Sequence, residues 1–171
     1  MTKLYDYIIV GAGSAGCALA NRLSEDGQRN VLLLEAGGKD RNPLIHIPLG
    51  FAFTMKHPTL SWGYVSDPEP HMNGRRIDQP RGKVLGGSSS INGMVYIRGQ
   101  REDYDHWAEL GNTEWSYEKL LPIFKRCEGY VGQSGDDYHG RDGQLWVDDV
   151  QNRYDMAELY VKAAQEAGIP F

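Results

Sequence analysis

One short stretch near the N-terminus restricts the fold more than any other part of the sequence. Residues 5–10, YDYIIV, form an apolar, β-branched run typical of a strand buried on both faces. Residues 14–26 then keep helical spacing until Gly27 can end the helix, and a second apolar run, VLLL, leads into Glu35. A strand, a glycine turn, a helix and a strand within about 30 residues predict a right-handed βαβ unit with parallel strands.

The turn after the first strand has the glycine spacing Gly11-x-Gly13-x-x-Gly16. The first glycine permits a tight turn, the second lets a pyrophosphate approach the backbone, and the third lets the helix pack close to the strand. Glu35 follows at close to the spacing of about 20 residues at which a carboxylate accepts hydrogen bonds from ribose hydroxyls. A 2'-phosphate beside Glu35 would meet like-charge repulsion, so the pattern disfavours NADP and leaves FAD and NAD open.

A second stretch rich in glycine and serine, GKVLGGSSSIN, covers residues 82–92. Consecutive small residues expose a row of amides, which can surround the same pyrophosphate from its other side or approach a flat ring. Arg81 and Lys83 would add positive charge around a dianionic linker. The alternative is a flexible linker, but Val84 and Ile91 are poor linker residues, so the sequence favours a ligand-binding loop.

Composition excludes several other classes of protein. Hydrophobic residues make up 40%, charged residues 24% and mean hydropathy is −0.52, which is typical of a soluble globular chain. The net charge of −5 lies in residues 133–171, and no basic stripe favours nucleic acid as a partner. Cys17 and Cys127 are too few for a disulfide framework or a four-cysteine metal site, and we interpret both as buried packing residues. No apolar run reaches the ~20 residues that span a bilayer, and we expect a cytoplasmic protein.

Patterns further along the chain predict a loop, a hairpin turning at Asn73-Gly74, three helices and a strand. In chain order, these are a loop at 37–61, hairpin strands within WGYVS and RRIDQ, helices at 102–109 and 116–128, a strand at 144–148 and a helix at 156–167. Pro122 should bend or divide the second helix. Only two parallel strands are predicted where a doubly wound half needs three, so we expect the chain to be part of a longer protein.

The sequence resembles the glucose-methanol-choline (GMC) flavin oxidoreductases, most closely their choline and aliphatic alcohol dehydrogenase branch. The resemblance extends over essentially all 171 residues, and it implies an α/β, Rossmann-like FAD-binding fold with an incomplete sheet. Residues 1–132 would be the N-terminal part of the FAD-binding domain, and residues 133–171 the truncated start of an α+β substrate-binding region. The segments that carry it are YDYIIVGAGSAGCALANRLS, VLLLEAGG, PRGKVLGGSSSINGMVYIRGQREDYDHW, WSYEKLLPIFKRCE and HGRDGQL.

The resemblance also implies which residues bind FAD, in three groups along the chain. The first group would hold the adenosine and pyrophosphate, the second would line the linker, and the third would lie along the isoalloxazine edge. The groups are Gly11, Ala12, Gly13, Ser14, Gly16, Glu35 and Ala36; Arg81, Gly82, Val84, Gly86, Gly87 and Ser88; and Asn92, Gly93, Met94 and Val95. Some family members attach FAD through a histidine at the position of Ile91, so FAD should be non-covalent here.

The activity that the resemblance implies is oxidation of a primary alcohol, choline-like or aliphatic, to an aldehyde by hydride transfer to flavin. The base is a histidine in the C-terminal part of the family's longer chains, and none of the five histidines here matches it, so we expect no catalytic residue and no activity in this chain alone. The electron acceptor stays open, as does peripheral attachment of a full-length protein to the inner membrane. A non-catalytic dinucleotide-binding module and an NAD-dependent reductase are the alternatives.

Overall fold

The computed structural model describes residues 4–150 and 154–169. Contacts divide the chain into two compact units, Met1–Val95 and Tyr96–Phe171. The domain boundary expected at residue 132 lies inside the second unit, and that functional division stays a prediction. Each unit is described by itself below.

The first unit begins with the predicted βαβ arrangement. Strand β1 is Tyr7–Val10, helix α1 is Ser14–Ser24 and strand β2 is Val31–Leu34. The two strands pair in parallel over their full length. Gly27 has a φ of +67° and its amide donates to the last helical carbonyl at 3.0 Å, so the predicted helix end is also confirmed.

The faces of this small sheet are not buried as the sequence predicted. The sheet has two strands among the described residues, and Ile8 and Val10 are 61% and 84% exposed. A strand buried on both faces needs a layer on each side, whereas in the described part of the chain the helix that packs against both strands is α1. The apolar composition of β1 and β2 is therefore typical of strands in a larger sheet that is covered on both faces.

The segment at 37–61 is not a plain loop, so that prediction was wrong. It contains helix α2 at Pro43–His46, a 3-10 helix at Pro48–Gly50 and helix α3 at Phe51–Thr54. The side chain of Asn42 accepts a hydrogen bond from an amide in the first turn of α2, at 3.0 Å, and proline is the first helical residue. Helix α2 is thus capped by its neighbour in sequence, and all three helices are too short to produce a helical period.

The predicted hairpin is present in the first unit. Strands β3 (Tyr64–Val65) and β4 (Asp78–Gln79) pair antiparallel, with a 3-10 helix at Pro70–Met72 between them. Asn73 and Gly74 both have positive φ, at 57° and 69°, as expected for this turn dipeptide.

The core of the first unit lies beneath the second glycine-rich stretch. Leu60, Val84 and Ile91 form a buried cluster, and the partly buried Ile45 of α2 packs against it. Val84 is completely buried. This apolar base fixes the start and the end of the glycine and serine residues that lie between Val84 and Ile91.

The second unit contains the remaining helices and a second parallel strand pair. Its elements are α4 (Arg101–Glu109), a 3-10 helix (Thr113–Trp115), α5 (Tyr117–Cys127), β5 (Glu128–Tyr130), β6 (Leu145–Val147) and α6 (Asp155–Glu166). Helices α4, α5 and α6 and strand β6 were predicted, whereas the 3-10 helix was not. Strand β5, which pairs in parallel with β6, was not.

Helix α5 is continuous through Pro122, so it is not divided there, and a bend at this residue stays a prediction. Proline removes one backbone donor, but Tyr117 and Leu120 bury the preceding turn, and this burial offsets the lost hydrogen bond. Cys127 is exposed and Cys17 is half-buried, so the interpretation of both thiols as buried packing residues was wrong. The Cys17 thiol lies 3.3 Å from the carbonyl of Ala12, to which it donates.

Candidate dinucleotide-binding site

The two glycine-rich stretches meet in the first unit. The amide of Gly86 donates to the carbonyl of Ala12 at 2.7 Å, and the hydroxyls of Ser14 and Ser89 are hydrogen-bonded to each other. A Cβ atom on Gly87 would come within 2.8 Å of the Cα of Gly13, which is closer than real Cβ contacts. Both turns therefore approach as bare backbone, which requires glycine at position 87.

A pocket of about 620 Å³ opens between these stretches and the end of β2. Eight of the predicted cofactor-binding residues line it, together with three residues that sequence analysis missed. The predicted ones are Gly11, Gly13, Glu35, Ala36, Arg81, Gly82, Gly87 and Ser88, and the others are Val10, Leu34 and Trp62. The structure thus brings residues from four separate segments of the chain to one cavity.

The glycines of the first turn have geometries that fit their three expected roles. Gly11 has a φ of +96°, which a side chain rarely allows. A Cβ on Gly16 would collide with the carbonyl of Gly11, so this glycine permits close packing of helix and strand. A Cβ on Gly13 would meet only the Cα of Gly87, at 4.0 Å, so this position has room for a ligand.

Glu35 stabilises the first glycine turn through hydrogen bonds and also lines the pocket. Its Oε2 atom accepts a hydrogen bond from the amide of Ala12 at 2.7 Å, and its Oε1 atom accepts from the amide of Gly37 at 2.8 Å. Each carboxylate oxygen has a further lone pair that a hydroxyl can use. The side chain can therefore hold the loop and accept from a ribose at the same time.

The second stretch turns sharply at Gly86, between the pocket-lining residues Gly82 and Gly87. Gly86 has a φ of +90°, and residues Gly87–Ser90 form a 3-10 helix. The hydroxyl of Ser88 accepts a hydrogen bond from the amide of Gly82 at 3.1 Å, which closes the stretch on itself.

Several predicted residues lie elsewhere. Ala12 and Val84 are completely buried, so neither side chain faces the pocket. Asn92 and Met94 line a second, smaller pocket of about 200 Å³, which also includes Ser89 and Ser90. The side chain of Asn92 accepts from the amide of Met94 at 2.9 Å, and Met94 has an unusual φ of +58°.

The remaining predicted residues are not among those that line these two pockets. Gly93 approaches Phe51, because a Cβ there would be 3.9 Å from the aromatic ring. Val95 is 81% exposed. Ser14 and Gly16 belong to α1 and contact the second and the first glycine-rich stretch respectively. The positions of Asn92 to Val95 relative to a flavin ring stay a prediction.

Trp62 is the main pocket residue that sequence analysis missed. Its amide donates to the carbonyl of Arg81 at 2.9 Å, and the amide of Lys83 donates to the carbonyl of Leu60 at 2.8 Å. This short antiparallel contact brings the indole to the pocket beside Arg81. In the sequence, the tryptophan of WGYVS is equally compatible with an ordinary strand residue. Its place in the pocket depends on the backbone pairing of residues 60–62 with residues 81–83.

A buried charged cluster in the second unit was also missed. Arg98 and Glu128 have side chains 3% and 0% exposed and are 2.5 Å apart. Glu128 accepts further hydrogen bonds from the amide of Gly140 and from Nδ1 of His139, both at 2.9 Å. Burial by itself would raise the pKa of Glu128, but these hydrogen bonds and the positive charge of Arg98 outweigh it and lower the pKa.

Across residues 4–150 and 154–169, no helix combines the length and the apolar composition needed to cross a bilayer. The same residues contain no group of three or more side chains suited to a metal ion.

Comparison with known proteins gives close relatives of greater length. The alcohol dehydrogenase (acceptor) of Pseudomonas putida is 49% identical over 168 residues, which are 98% of this chain and 30% of that protein. The oxygen-dependent choline dehydrogenase of Sinorhizobium fredii is 51% identical over 164 residues, or 95% of this chain and 30% of that protein. The chain thus spans about a third of the length of these curated relatives.

The fold has an equally clear counterpart among solved structures. The crystal structure of pyridoxine 4-oxidase from Mesorbium loti matches 98% of this chain and 33% of its own, with a TM-score of 0.90 and 34% identity. Residues 5–171 match the sequence family described as GMC oxidoreductase. This chain therefore belongs to the GMC oxidoreductase family of flavoproteins.

Proposed function

We propose that this chain is the N-terminal, FAD-binding part of a longer enzyme, called here the full-length protein. That enzyme would oxidise a primary alcohol, choline-like or aliphatic, to an aldehyde and transfer a hydride to FAD. The observation that carries the proposal is the meeting of both glycine-rich stretches and Glu35 around one pocket. The dehydrogenases among its relatives support the reaction class.

The residues around the pocket fit the adenosine and pyrophosphate half of FAD. Gly13, Gly82 and Gly87 line the pocket without side chains where a linker must approach closely, and Arg81 supplies positive charge for it. Glu35 has free lone pairs for ribose hydroxyls, and the indole of Trp62 offers an aromatic surface in the same wall. Every one of these features belongs to the first unit.

The flavin ring would lie beyond the second stretch, along Asn92 to Val95. The left-handed backbone at Met94 supports this, since such conformations are concentrated at sites that bind ligands. When bound, FAD accepts the hydride that leaves the alcohol carbon. Ile91 is 3% exposed and packs in the core, which supports non-covalent binding.

The base that removes the hydroxyl proton would come from the part of the full-length protein outside this chain. The two histidines with the closest protein partners are already engaged: His139 with Glu128, and His46 with the carbonyl of Asp40 at 2.5 Å. None of the five histidines matches the position of the family's base, so we assign no catalytic residue here. Residues 133–171 would begin the substrate-binding region, and the two free cysteines favour a reducing, cytoplasmic location.

A visible absorption spectrum of the purified full-length protein tests the proposal. We expect a flavin spectrum that bleaches when a primary alcohol is added without oxygen. A flavin spectrum that stays oxidised with every alcohol would support a non-catalytic binding module instead. The absence of any flavin spectrum, together with no FAD uptake by the apoprotein, would overturn the assignment of the pocket.

A further inference from the structure

The ammonium group of Lys83 lies over the ring of Trp62. Its Nζ atom is 4.7 Å from the ring centroid, and Lys83 itself is half-buried. The backbones of the two residues belong to the antiparallel contact between residues 60–62 and 81–83. Trp62 lines the dinucleotide pocket, whereas Lys83 is not among the residues that line it.

This arrangement differs from the expectation that Lys83 neutralises the pyrophosphate. The neighbouring Arg81 does line the pocket, so the two cations have different surroundings. A cation over an indole is attracted by the negative face of the ring. The position of Lys83 therefore indicates an interaction with Trp62.

Trp62 gains from such support because the residue is 42% exposed. One further ring holds it: Tyr64 stacks against the indole with ring centroids 5.9 Å apart and planes 3° from parallel. An exposed side chain that must be ordered on binding lowers affinity, since its lost rotamer freedom opposes association. A side chain that is already held in the wall of the pocket avoids that loss.

We propose that Lys83 is a positioning residue that holds the indole of Trp62 in the wall of the dinucleotide pocket. It strengthens FAD binding through Trp62 and makes no direct contact with the pyrophosphate. The inference rests on the proposed function, because it takes FAD to be the ligand of this pocket.

A double-mutant cycle in the full-length protein tests the coupling. FAD is titrated into the apoproteins of wild type, Lys83→Met, Trp62→Leu and the double variant. We expect Lys83→Met to weaken binding about two- to fivefold in the wild-type background and to have no further effect beside Trp62→Leu. An equal effect of Lys83→Met in both backgrounds would overturn the inference.

Two further variants separate the cation from the phosphate contact. Lys83→Arg keeps a cation that stacks on indole, so it should retain wild-type affinity, and Lys39→Met is a control that removes an exposed lysine outside the pocket. If Lys83 instead contacted the pyrophosphate, Lys83→Met would weaken binding more at low salt than at high salt. We expect the same fold-change at both.

A measurement without FAD keeps this inference separate from the proposed function. Trp62 is one of four tryptophans, so its emission is obtained by subtracting the spectrum of Trp62→Leu. Lys83→Met should make that emission more easily quenched by acrylamide, and Lys83→Arg should not. Unchanged quenching refutes the positioning role even if FAD binds, whereas increased quenching in a protein that takes up no FAD refutes only the proposed function.

Discussion

The carboxylate of Glu35 accepts a hydrogen bond of 2.7 Å from the amide of Ala12 and so joins the end of β2 to the turn after β1. The same side chain lines the pocket. An acid that follows the glycine spacing Gly11-x-Gly13-x-x-Gly16 is usually assigned to the ribose alone. Here the carboxylate also stabilises the glycine turn. Its removal should therefore change both the ligand site and the loop.

We expect Glu35→Ala to weaken FAD binding by about 1.5–3 kcal/mol, since charge-assisted hydrogen bonds to ribose are lost. Titration of the full-length apoprotein with FAD measures this. Glu35→Gln keeps one acceptor oxygen and should have a smaller effect. Glu25→Ala, which removes an exposed partner of Arg22, serves as the control and should leave the dissociation constant unchanged.

Replacing Gly13 with Val should abolish FAD binding without unfolding the protein. The chain itself leaves space at this position, because the nearest atom to a Cβ would be 4.0 Å away, so a larger side chain would compete with the ligand. Gly38→Val is the matched control, since no atom lies within 4 Å of a Cβ there and Gly38 does not line the pocket. A Gly13→Val protein that purifies with a full complement of flavin would contradict the assignment of this glycine turn to pyrophosphate binding.

FAD should be released from the full-length protein by acid precipitation. Ile91 occupies the position at which some family members link the flavin, and its alkyl side chain is buried against Leu60 and Val84. It offers no nucleophile to the flavin. Yellow colour should appear in the supernatant, and a yellow pellet that survives washing in denaturant would show a covalent bond.

The 171-residue chain expressed alone should be inactive and should associate. Ile8, Val10 and Leu34 are exposed on the parallel strand pair, and unpaired apolar strands favour contacts between molecules. Size-exclusion chromatography and a dye-reduction assay with alcohol check both points. A monomeric product that reduces the dye would refute the proposal that the base lies elsewhere.

The buried pair of Arg98 and Glu128 should make stability depend on acid pH. Glu128→Gln leaves the charge of Arg98 buried without its partner and should lower the free energy of unfolding by about 3–5 kcal/mol at neutral pH. The folded-state pKa of Glu128 lies below its ordinary value of 4.5, so the carboxylate stabilises the fold fully above that value and loses this effect as pH falls through the folded pKa.

Urea unfolding of the full-length protein at a series of pH values measures the difference between wild type and Glu128→Gln. The difference should be constant near neutrality and shrink below pH 4.5. Glu114→Gln is the control, because it breaks an exposed ion pair with Lys119 and should cost little at any pH. A constant difference down to strong acid would contradict the lowered pKa.

Sequence patterns predicted the elements whose signals are local. The βαβ unit, the hairpin at Asn73-Gly74, β6 and α6 each combine a repeated apolar pattern with a recognisable turn or end. The pattern failed for β5, whose residues Glu128–Tyr130 include a charged side chain in a fully buried strand. Hydrogen bonds from Gly140 and His139, together with the charge of the distant Arg98, explain why a carboxylate can lie there.

The candidate site was likewise predictable in part. Glycine spacing and a following acid identify most of one pocket wall, because each residue has a reason that is visible within a few neighbours. Trp62 and the placement of Lys83 depend on a backbone contact between segments some twenty residues apart, and no local pattern encodes that pairing. Long-range contacts of side chains therefore limit what sequence reasoning can give.

The contact between Ser14 and Ser89 joins residues that are 75 positions apart. Closing a chain segment of that length costs roughly 4 kcal/mol in entropy, so the approach of the two glycine-rich stretches cannot form from local contacts alone. Helix α1 can form within microseconds, whereas the pocket forms only after the second glycine-rich stretch, residues 82–92, has docked on the first. The order of folding events thus sets when the protein becomes able to bind its ligand, and FAD added during refolding stabilises only molecules that have already passed that step.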